Sequence, residues 1–180
     1  TCRSPVWTFG ATDNPTTVYL LERSNNAITW RGSARTWTYI VNYQSLSRTS
    51  GYADGTHSVI VYGNGFHKGW NNYRCRFRDS SGHTAYSVMV TPNDDTSITC
   101  RTPAWLFAAT DNPTTLYLME KENNDILWLG STRTWTYIIT YKAISRSTGY
   151  ANGAHSVTVS GNGFNIARSD YRCRFVDTKG

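Results

Sequence analysis

The sequence repeats itself with a period of 98 residues and without an insertion or deletion. Thr1-Cys-Arg returns as Thr99-Cys-Arg, and Gly63-Asn-Gly-Phe returns as Gly161-Asn-Gly-Phe. Aligning residues 1–82 with residues 99–180 gives about 50 identical positions. Self-similarity at a fixed period is the mark of a tandem array that uses one structural unit repeatedly. We therefore expect the chain to contain the same unit about twice.

The chain is shorter than two full periods. Its 180 residues fall 16 short of two complete units, and the part that does not recur is residues 83–98. One unit is therefore incomplete within the chain. We expect either that the chain is a segment of a longer array or that a neighbour supplies the missing part.

Apolar and polar residues alternate along much of the sequence. In Tyr73-Arg-Cys-Arg-Phe-Arg78 the apolar side chains share one face and the arginines share the other, as in a half-buried β-strand. Turn residues separate such segments, and Gly63-Asn-Gly65 is predicted to form a hairpin turn. About seven short strands per unit predict an all-β fold of tandem antiparallel sandwiches. The predicted strands are residues 16–21, 27–30, 37–43, 58–62, 73–78, 84–90 and 97–101.

Four cysteines occupy two repeat-equivalent sites. Within the uninterrupted unit the natural pair is Cys75 with Cys100, and a bridge across a loop of that length contributes about 3 kcal/mol. Cys2 and Cys173 are then unpaired or paired outside this chain. Their spacing does not match that of zinc ligands. This cysteine usage predicts an oxidising compartment, either extracellular or at the cell surface. The alternative is a set of reduced core cysteines in a cytosolic domain.

Several motifs follow one another in an order that resembles a known family. His57-Ser-Val-Ile-Val leads into Gly63-Asn-Gly-Phe, and Tyr73-Arg-Cys-Arg-Phe, Ile98-Thr-Cys-Arg-Thr-Pro and Trp135-Thr-Tyr come after them. This order is similar to that of the IPT/TIG domain, the immunoglobulin-like fold shared by plexins and transcription factors. The resemblance implies one complete domain at residues 40–137. It also implies the C-terminal half of another at residues 1–39 and the N-terminal half of a third at residues 138–180.

The resemblance implies a binding or structural role. Extracellular members of the family build rod-like receptor ectodomains and surface proteins, whereas intracellular members dimerise beside a DNA-binding module. Cysteines at both family positions favour the extracellular branch. The sequence lacks a separate basic recognition domain, so nucleic acid is not an expected partner.

The residues themselves predict no enzyme, no cofactor and no metal site. The four histidines form no HExxH pattern, and neither a Gly-x-Ser-x-Gly elbow nor a phosphate-binding loop occurs. His57 and its repeat His155 are expected to be hydrogen-bonded histidines at strand starts. Asp94-Asp95, and Asp13 beside Asn14, bring too few oxygens within reach for calcium. No apolar stretch is long enough to cross a membrane.

Two surface features remain candidates for binding. The net charge of +6 favours a polyanionic partner such as an acidic polysaccharide. A basic face is predicted on one sheet, although a plain solvated face explains the same pattern. It comprises Arg74, Arg76 and Arg78, with Arg101 on an adjacent strand and Arg172 and Arg174 repeating the motif.

The tryptophans divide into repeated and unrepeated positions. Trp7, Trp30 and Trp37 recur as Trp105, Trp128 and Trp135, which predicts packing in the core and between units rather than a sugar-stacking platform. Trp70 does not recur, because residue 168 is arginine. It is therefore the candidate for an exposed aromatic contact.

Near-identical units predict a structural module of an extracellular filament, surface appendage or adhesin, assembling end to end. Its partners would be further copies of the repeat, in the same chain or in a head-to-tail neighbour. The alternative is a ligand- or carbohydrate-binding receptor ectodomain module. Each terminal half-unit should expose an apolar sheet face and unpaired strand edges, which recruit partners.

Overall fold

The regular elements of the computed structural model are β-strands. The structure describes residues 1–5, 15–24, 27–107, 113–122, 125–165 and 167–177, and within these ranges it contains no helix. The strands are β1 (Pro15–Ser24), β2 (Ala27–Thr38), β3 (Asn42–Leu46), β4 (Ser50–Tyr52), β5 (Ser58–Asn64), β6 (Tyr73–Arg78), β7 (Thr84–Tyr86), β8 (Ser97–Arg101), β9 (Pro113–Glu122), β10 (Asp125–Ile138), β11 (Thr140–Ile144) and β12 (Val159–Asn162).

Strands β3 to β10 build a sandwich of two sheets. One sheet has the order β4-β10-β9-β6-β7 and the other has the order β3-β5-β8. Every pair of neighbours is antiparallel except β4 and β10, which run parallel. The all-β immunoglobulin-like fold is therefore confirmed. The expectation of purely antiparallel pairing is wrong at the β4 edge, because β4 joins the sheet opposite the one that holds its neighbours in sequence, β3 and β5.

The core lies between the two sheets, where the inward side chains of alternating strands meet. In β6 the residues Tyr73, Cys75 and Phe77 are buried while the arginines between them face outward. Trp105 and Trp135 are also buried, as their recurrence predicts. The remaining buried apolar residues of this cluster are Tyr43, Ala53, Val59, Val61, Phe66, Ile98, Cys100, Leu116, Leu118 and Tyr137.

A two-stranded hairpin lies on each side of the sandwich in sequence. β1 pairs with β2, and β11 pairs with β12. Their registers repeat those within the sandwich: Pro15 faces Thr38 as Pro113 faces Thr136. Likewise, Asn42 faces Asn64 as Thr140 faces Asn162. Equivalent sequence thus adopts equivalent local structure at both ends of the chain.

Two predicted strands are longer than the observed ones. The predicted strand 37–43 is divided, because β2 ends at Thr38 in the hairpin sheet and β3 begins at Asn42 in the sandwich. The predicted strand 84–90 is regular only to Tyr86. The Oγ atom of Ser87 accepts the N–H of Cys75 at 2.9 Å in place of a backbone carbonyl, which interrupts the ladder. Pairing resumes at a single bridge between Tyr73 and Val90.

The Gly63-Asn-Gly65 motif is not the predicted hairpin turn. β5 ends at Asn64, and the chain then crosses to β6 in the other sheet. A Cβ at Gly63 would overlap the carbonyl oxygen of Asn42. At Gly65, where φ is +83°, a Cβ would lie 2.6 Å from the carbonyl oxygen of Ile40. These glycines therefore let the segment that enters the unit lie directly on the end of β5.

Candidate interaction surfaces

Cys75 and Cys100 are joined by a disulfide with a Cα–Cα distance of 6.2 Å. Because Cys75 lies on β6 and Cys100 on β8, the bond links the two sheets through the middle of the core. Cys2 and Cys173, the repeat-equivalent positions, are exposed free thiols. The same two positions are thus bonded in the complete sandwich and unbonded at the chain ends.

The outward face of β6 carries an arrangement of arginine on tyrosine. The guanidinium of Arg74 lies 4.3 Å from the ring centroid of Tyr86 on β7, and that of Arg76 lies 4.3 Å from the centroid of Tyr117 on β9. Cation–π contacts of this kind hold the arginines along the sheet surface. Arg78 follows them and is exposed. Three of the predicted basic residues therefore do share one face.

The other arginines of the predicted basic face are elsewhere. Arg101 was expected on an adjacent strand, but β8 belongs to the opposite sheet. Its Nε donates to the carbonyl oxygen of Gly55 at 3.3 Å, on the far side of the sandwich from Arg74. Arg172 and Arg174 are exposed but are not part of a regular strand. The prediction that Arg101 joins the face of Arg74, Arg76 and Arg78 is therefore wrong, because nothing in the sequence of a strand says which sheet it joins.

Trp70 is not the exposed aromatic contact that the sequence predicts. It is partly buried against the core, with its ring 4.2 Å from that of His67 between centroids. Its repeat equivalent, Arg168, donates from Nη1 to the carbonyl oxygen of Phe107 at 2.5 Å. This position therefore faces the preceding unit in the C-terminal copy. Trp70 occupies the corresponding place in the central sandwich and is partly buried there.

A junction of specific hydrogen bonds joins the sandwich to the C-terminal hairpin. The amide of Ala53 donates to the carbonyl of Ile138 at 3.0 Å, where β10 leads into β11. The Nδ2 atom of Asn162 donates to the hydroxyl of Tyr52 at 2.9 Å. The buried Asn165 donates from Nδ2 to the carbonyl of Trp105 at 3.1 Å. None of these residues belongs to a predicted site; the replacement of His67 by asparagine at the repeat-equivalent position 165 was the available sequence signal.

The histidines and acidic residues have local structural roles. The Nδ1 atom of His57 accepts the amide of Tyr52 at 2.9 Å, and that of His155 accepts the amide of Tyr150 at 3.1 Å. Asp94 Oδ1 accepts the amide and the hydroxyl of Thr96, each at 2.8 Å. Hydrogen bonds from Thr96 hold the pKa of Asp94 below its usual range.

In the part of the chain that the structure describes, no three His, Cys, Asp or Glu side chains cluster as a metal site would need. Asp13 and Asn14 lie outside the described residues, as does Trp7, and the side chains of Trp30 and Trp128 are not described. Within the same ranges we find no helix of the length and hydrophobicity needed to span a bilayer.

The two chain ends expose positions that the sandwich buries. Trp37 on β2 is 47% exposed, whereas its equivalent Trp135 is 0% exposed. At the other end Phe175 is 81% exposed, whereas Phe77 is 0% exposed. The same contrast holds for Val18 with Leu116, Leu20 with Leu118, Leu21 with Met119, and Tyr171 with Tyr73. Both ends therefore present apolar surface in the pattern of an incomplete sandwich.

Comparison with known families agrees with this architecture. Residues 140–179 match the IPT/TIG domain family. The match lies on the C-terminal copy, and its repeat equivalent, residues 42–81, forms β3 to β6 of the sandwich. Such immunoglobulin-like modules occur in adhesion and receptor proteins at the cell surface. No curated protein matches the chain.

Proposed function

We propose that the chain is a structural module of an extracellular filament, cell-surface appendage or adhesin, in which immunoglobulin-like units assemble end to end. In this proposal residues 40–137 are one complete unit. Residues 1–39 are the C-terminal half of the preceding unit, and residues 138–180 are the N-terminal half of the following one. The partners are further copies of the same repeat.

The proposal rests on the difference in burial between repeat-equivalent residues. Trp135 and Phe77 are buried against each other, with ring centroids 5.6 Å apart, whereas Trp37 and Phe175 are exposed at opposite ends of the sequence. Burying an aromatic side chain of this size stabilises an assembly by about 1.5–3 kcal/mol. Two different, complementary faces on one chain make a heterologous contact that does not close, which produces a filament.

The disulfide supports the proposed location. Cys75 and Cys100 are fully buried and bonded, and a bond between sheets persists in oxidising compartments such as the cell exterior. The IPT/TIG match at residues 140–179 supports a module of the adhesion or receptor kind. Neither requires an active site.

Sedimentation velocity over a wide range of protein concentration tests the proposal. We expect the weight-average sedimentation coefficient of the 180-residue chain to rise with concentration without reaching a plateau. Substituting Phe175 by aspartate should abolish the rise, because a charge would then lie in the contact. A concentration-independent monomer, or a dimer that does not grow further, would contradict end-to-end assembly.

A second candidate function is binding of an acidic polysaccharide by a receptor-type module. The observation that favours it is the row of Arg74, Arg76 and Arg78 on one sheet face, two of them stacked on tyrosine rings. Stacking fixes the guanidinium planes, and fixed guanidinium groups bind sulfate or carboxylate with two hydrogen bonds. The charge-reversal experiment described in the Discussion separates this function from the structural one.

A further inference from the structure

In the complete sandwich the indole ring of a tryptophan packs against the backbone of a glycine. A Cβ at Gly51 would lie 2.7 Å from Cζ2 of Trp135, so the indole lies directly on the Gly51 backbone. The surrounding strands β4 and β10 pair in parallel, with Tyr137 opposite Gly51. The amide of Thr136 donates to the carbonyl of Thr49 at 2.8 Å, which extends this pairing.

The equivalent place in the C-terminal copy is open. Gly149 has no tryptophan beside it, and the nearest atom to a Cβ built there is Cβ of His155, at 3.7 Å. An open cleft of about 430 Å³ lies at this position. It is lined by Ser145, Arg146, Thr148, Gly149, Tyr150 and His155.

The N-terminal hairpin carries the group that this cleft lacks. Trp37 is the repeat equivalent of Trp135, and it is half exposed on β2. Arg35, the equivalent of Arg133, is exposed beside it. In the complete sandwich Arg133 donates from Nε to the carbonyl of Gln44 at 3.0 Å and lies over the ring of Tyr43.

We propose that the Gly149 cleft receives Trp37 of a second copy of this chain, and that Cys2 of that copy forms a disulfide with Cys173. This inference rests on the proposed end-to-end assembly and specifies its contact. The C-terminal segment 171–176 pairs with β1 of the second copy. The end of β2 pairs in parallel with residues 148–150.

The register of this contact follows from the complete sandwich. There Cys75 faces Leu118 and Phe77 faces Leu116. Moving each partner by one repeat places Cys173 opposite Leu20 of the second copy, and Phe175 opposite Val18. All four of these side chains are exposed in the single chain. The contact therefore joins the C-terminal segment to β1 of the second copy as neighbouring strands of one sheet, with these apolar side chains in a register that this sequence already forms.

The contact also reproduces the way in which one unit is connected to the next in the structure. In one chain, β10 completes the sandwich and then leads through Ile138 into β11. In the second copy, β2 would complete the cleft unit and lead through Ile40 into β3 in the same manner. Each added copy presents a new cleft at its own Gly149. Addition can thus proceed indefinitely.

The contact is carried by strands equivalent to the central ones of the sandwich. Residues 83–98 of the sandwich contain β7 and the first two residues of β8, and both of these strands lie at sheet edges. They supply Ile98 to the core cluster but no central strand. The disulfide joins the two copies covalently.

Formation of the bond requires a two-electron oxidant, and oxidised glutathione is suitable. The thiols of Cys2 and Cys173 lose two protons and two electrons in total and form one S–S bond. The glutathione disulfide is cleaved and takes up both, giving two molecules of reduced glutathione. Both cysteines are exposed before assembly, so the thiols are accessible to this exchange.

Complementary cysteine variants test the direction of the contact. We expect the wild-type chain in a glutathione redox buffer to form a ladder of covalent oligomers. Cys2→Ser mixed with Cys173→Ser should form covalent dimers only, and each variant alone should form none. Peptide mapping should identify Cys2 linked to Cys173. A Cys173–Cys173 or Cys2–Cys2 bond, a bond within one chain, or no bond at all would overturn the proposal.

A second set of variants tests the cleft without relying on the thiols. Gly149→Val should lower the association constant about thirtyfold or more, because the added methyl groups occupy the indole position. Trp37→Ala should have an effect of similar size. Val88→Ala and Ala154→Val serve as matched controls, since Val88 is exposed on the sandwich and Ala154 does not line the cleft. Circular dichroism confirms that each variant is folded.

The outcomes distinguish this inference from the function on which it rests. If the chain assembles without limit but neither Gly149→Val nor Trp37→Ala weakens assembly relative to the controls, end-to-end assembly stands and the cleft contact is wrong. If the wild-type chain does not assemble at any concentration, both are wrong. If cleft substitutions and cysteine pairing behave as expected, the contact is established.

Discussion

Trp105 stacks on Tyr137, with ring centroids 5.0 Å apart and an angle of 16° between the ring planes. Trp105 follows β8 and Tyr137 belongs to β10, so the stack connects the two sheets at the end of the sandwich nearest the C-terminal hairpin. The hydroxyl of Tyr137 is buried there without a hydrogen-bond partner among the described residues. The ring contributes packing, whereas the hydroxyl contributes only a desolvation cost.

Replacing Tyr137 by phenylalanine should therefore stabilise the sandwich. The substitution removes a buried hydroxyl that is not hydrogen-bonded and keeps the ring, so we expect a gain of about 1 kcal/mol in the free energy of unfolding. Urea denaturation of both proteins measures it. Tyr62→Phe, at an exposed position, is the control and should change little. A loss of stability in Tyr137→Phe would show that the hydroxyl has a partner after all.

Alkaline pH should unfold the sandwich through its buried tyrosines. Burial raises the pKa of Tyr43, Tyr73 and Tyr137 well above the ordinary value. In the unfolded chain these phenols ionise near their usual pKa of about 10. Their contribution is thus fully present below about pH 10 and declines as the pH rises further. Denaturation curves across this range should show the decline, and Tyr137→Phe should reduce its slope.

Loss of the inter-sheet disulfide should destabilise the sandwich strongly. Cys75→Ala should lower the free energy of unfolding by about 3 kcal/mol, because the unfolded chain is no longer constrained by the closed loop. Cys173→Ala is the matched control at the repeat-equivalent, exposed position and should change the stability of the monomer by less than about 0.5 kcal/mol. Equal effects of the two substitutions would refute the pairing of Cys75 with Cys100.

Glycine to alanine substitutions at equivalent positions should differ in effect. Gly51→Ala places a methyl group 2.7 Å from Trp135 and should cost about 1–3 kcal/mol. Gly149→Ala meets only ordinary contacts, beginning at 3.7 Å, and should be nearly neutral in the monomer. Thermal denaturation of dilute samples makes the comparison. Similar losses in both variants would mean that the indole does not distinguish the two copies.

Charge reversal distinguishes the structural function from polysaccharide binding. In the test variant, glutamate replaces Arg74, Arg76 and Arg78. In a matched control, glutamate replaces Arg23, Arg48 and Arg101, so that both proteins have the same net charge. For a structural module we expect both variants to elute from a sulfated-glycan column at the same reduced salt concentration, because only net charge matters. Selective loss of retention in the first variant would favour the receptor-type function.

A fragment of residues 40–137 should be a stable, soluble monomer. These residues contain both sheets of the sandwich, apart from Ile138 at the end of β10, together with the disulfide, and they omit the exposed faces around Trp37 and Phe175. Hydrogen exchange should show β5, β6 and β9 protected alike in the fragment and in the full chain. In dilute monomeric samples of the full chain, residues 1–39 should exchange rapidly. Full protection of residues 1–39 there would contradict the proposed domain frame.

Local patterns predicted much of the fold. The alternation in Tyr73-Arg-Cys-Arg-Phe-Arg78 correctly placed β6 and its buried face, because the side chains of a strand point to opposite sides in turn. The repeat also correctly predicted that Trp105 and Trp135 are buried. Failures occurred where distant segments meet. The assignment of Arg101 to the same face as Arg74 was wrong, since nothing in either strand specifies the sheet it joins.

The sequence by itself determined the all-β class, the repeat and the alternating faces of the strands, because each depends on residues close together in the chain. Tertiary structure alone decided which copy of each repeated residue is buried. Trp37 and Trp135 lie in the same Arg-Thr-Trp-Thr-Tyr-Ile motif, yet one is half exposed and the other is enclosed. The difference arises because burial depends on whether a second sheet lies opposite, and among the described residues the sandwich of β3 to β10 is the part that has two facing sheets.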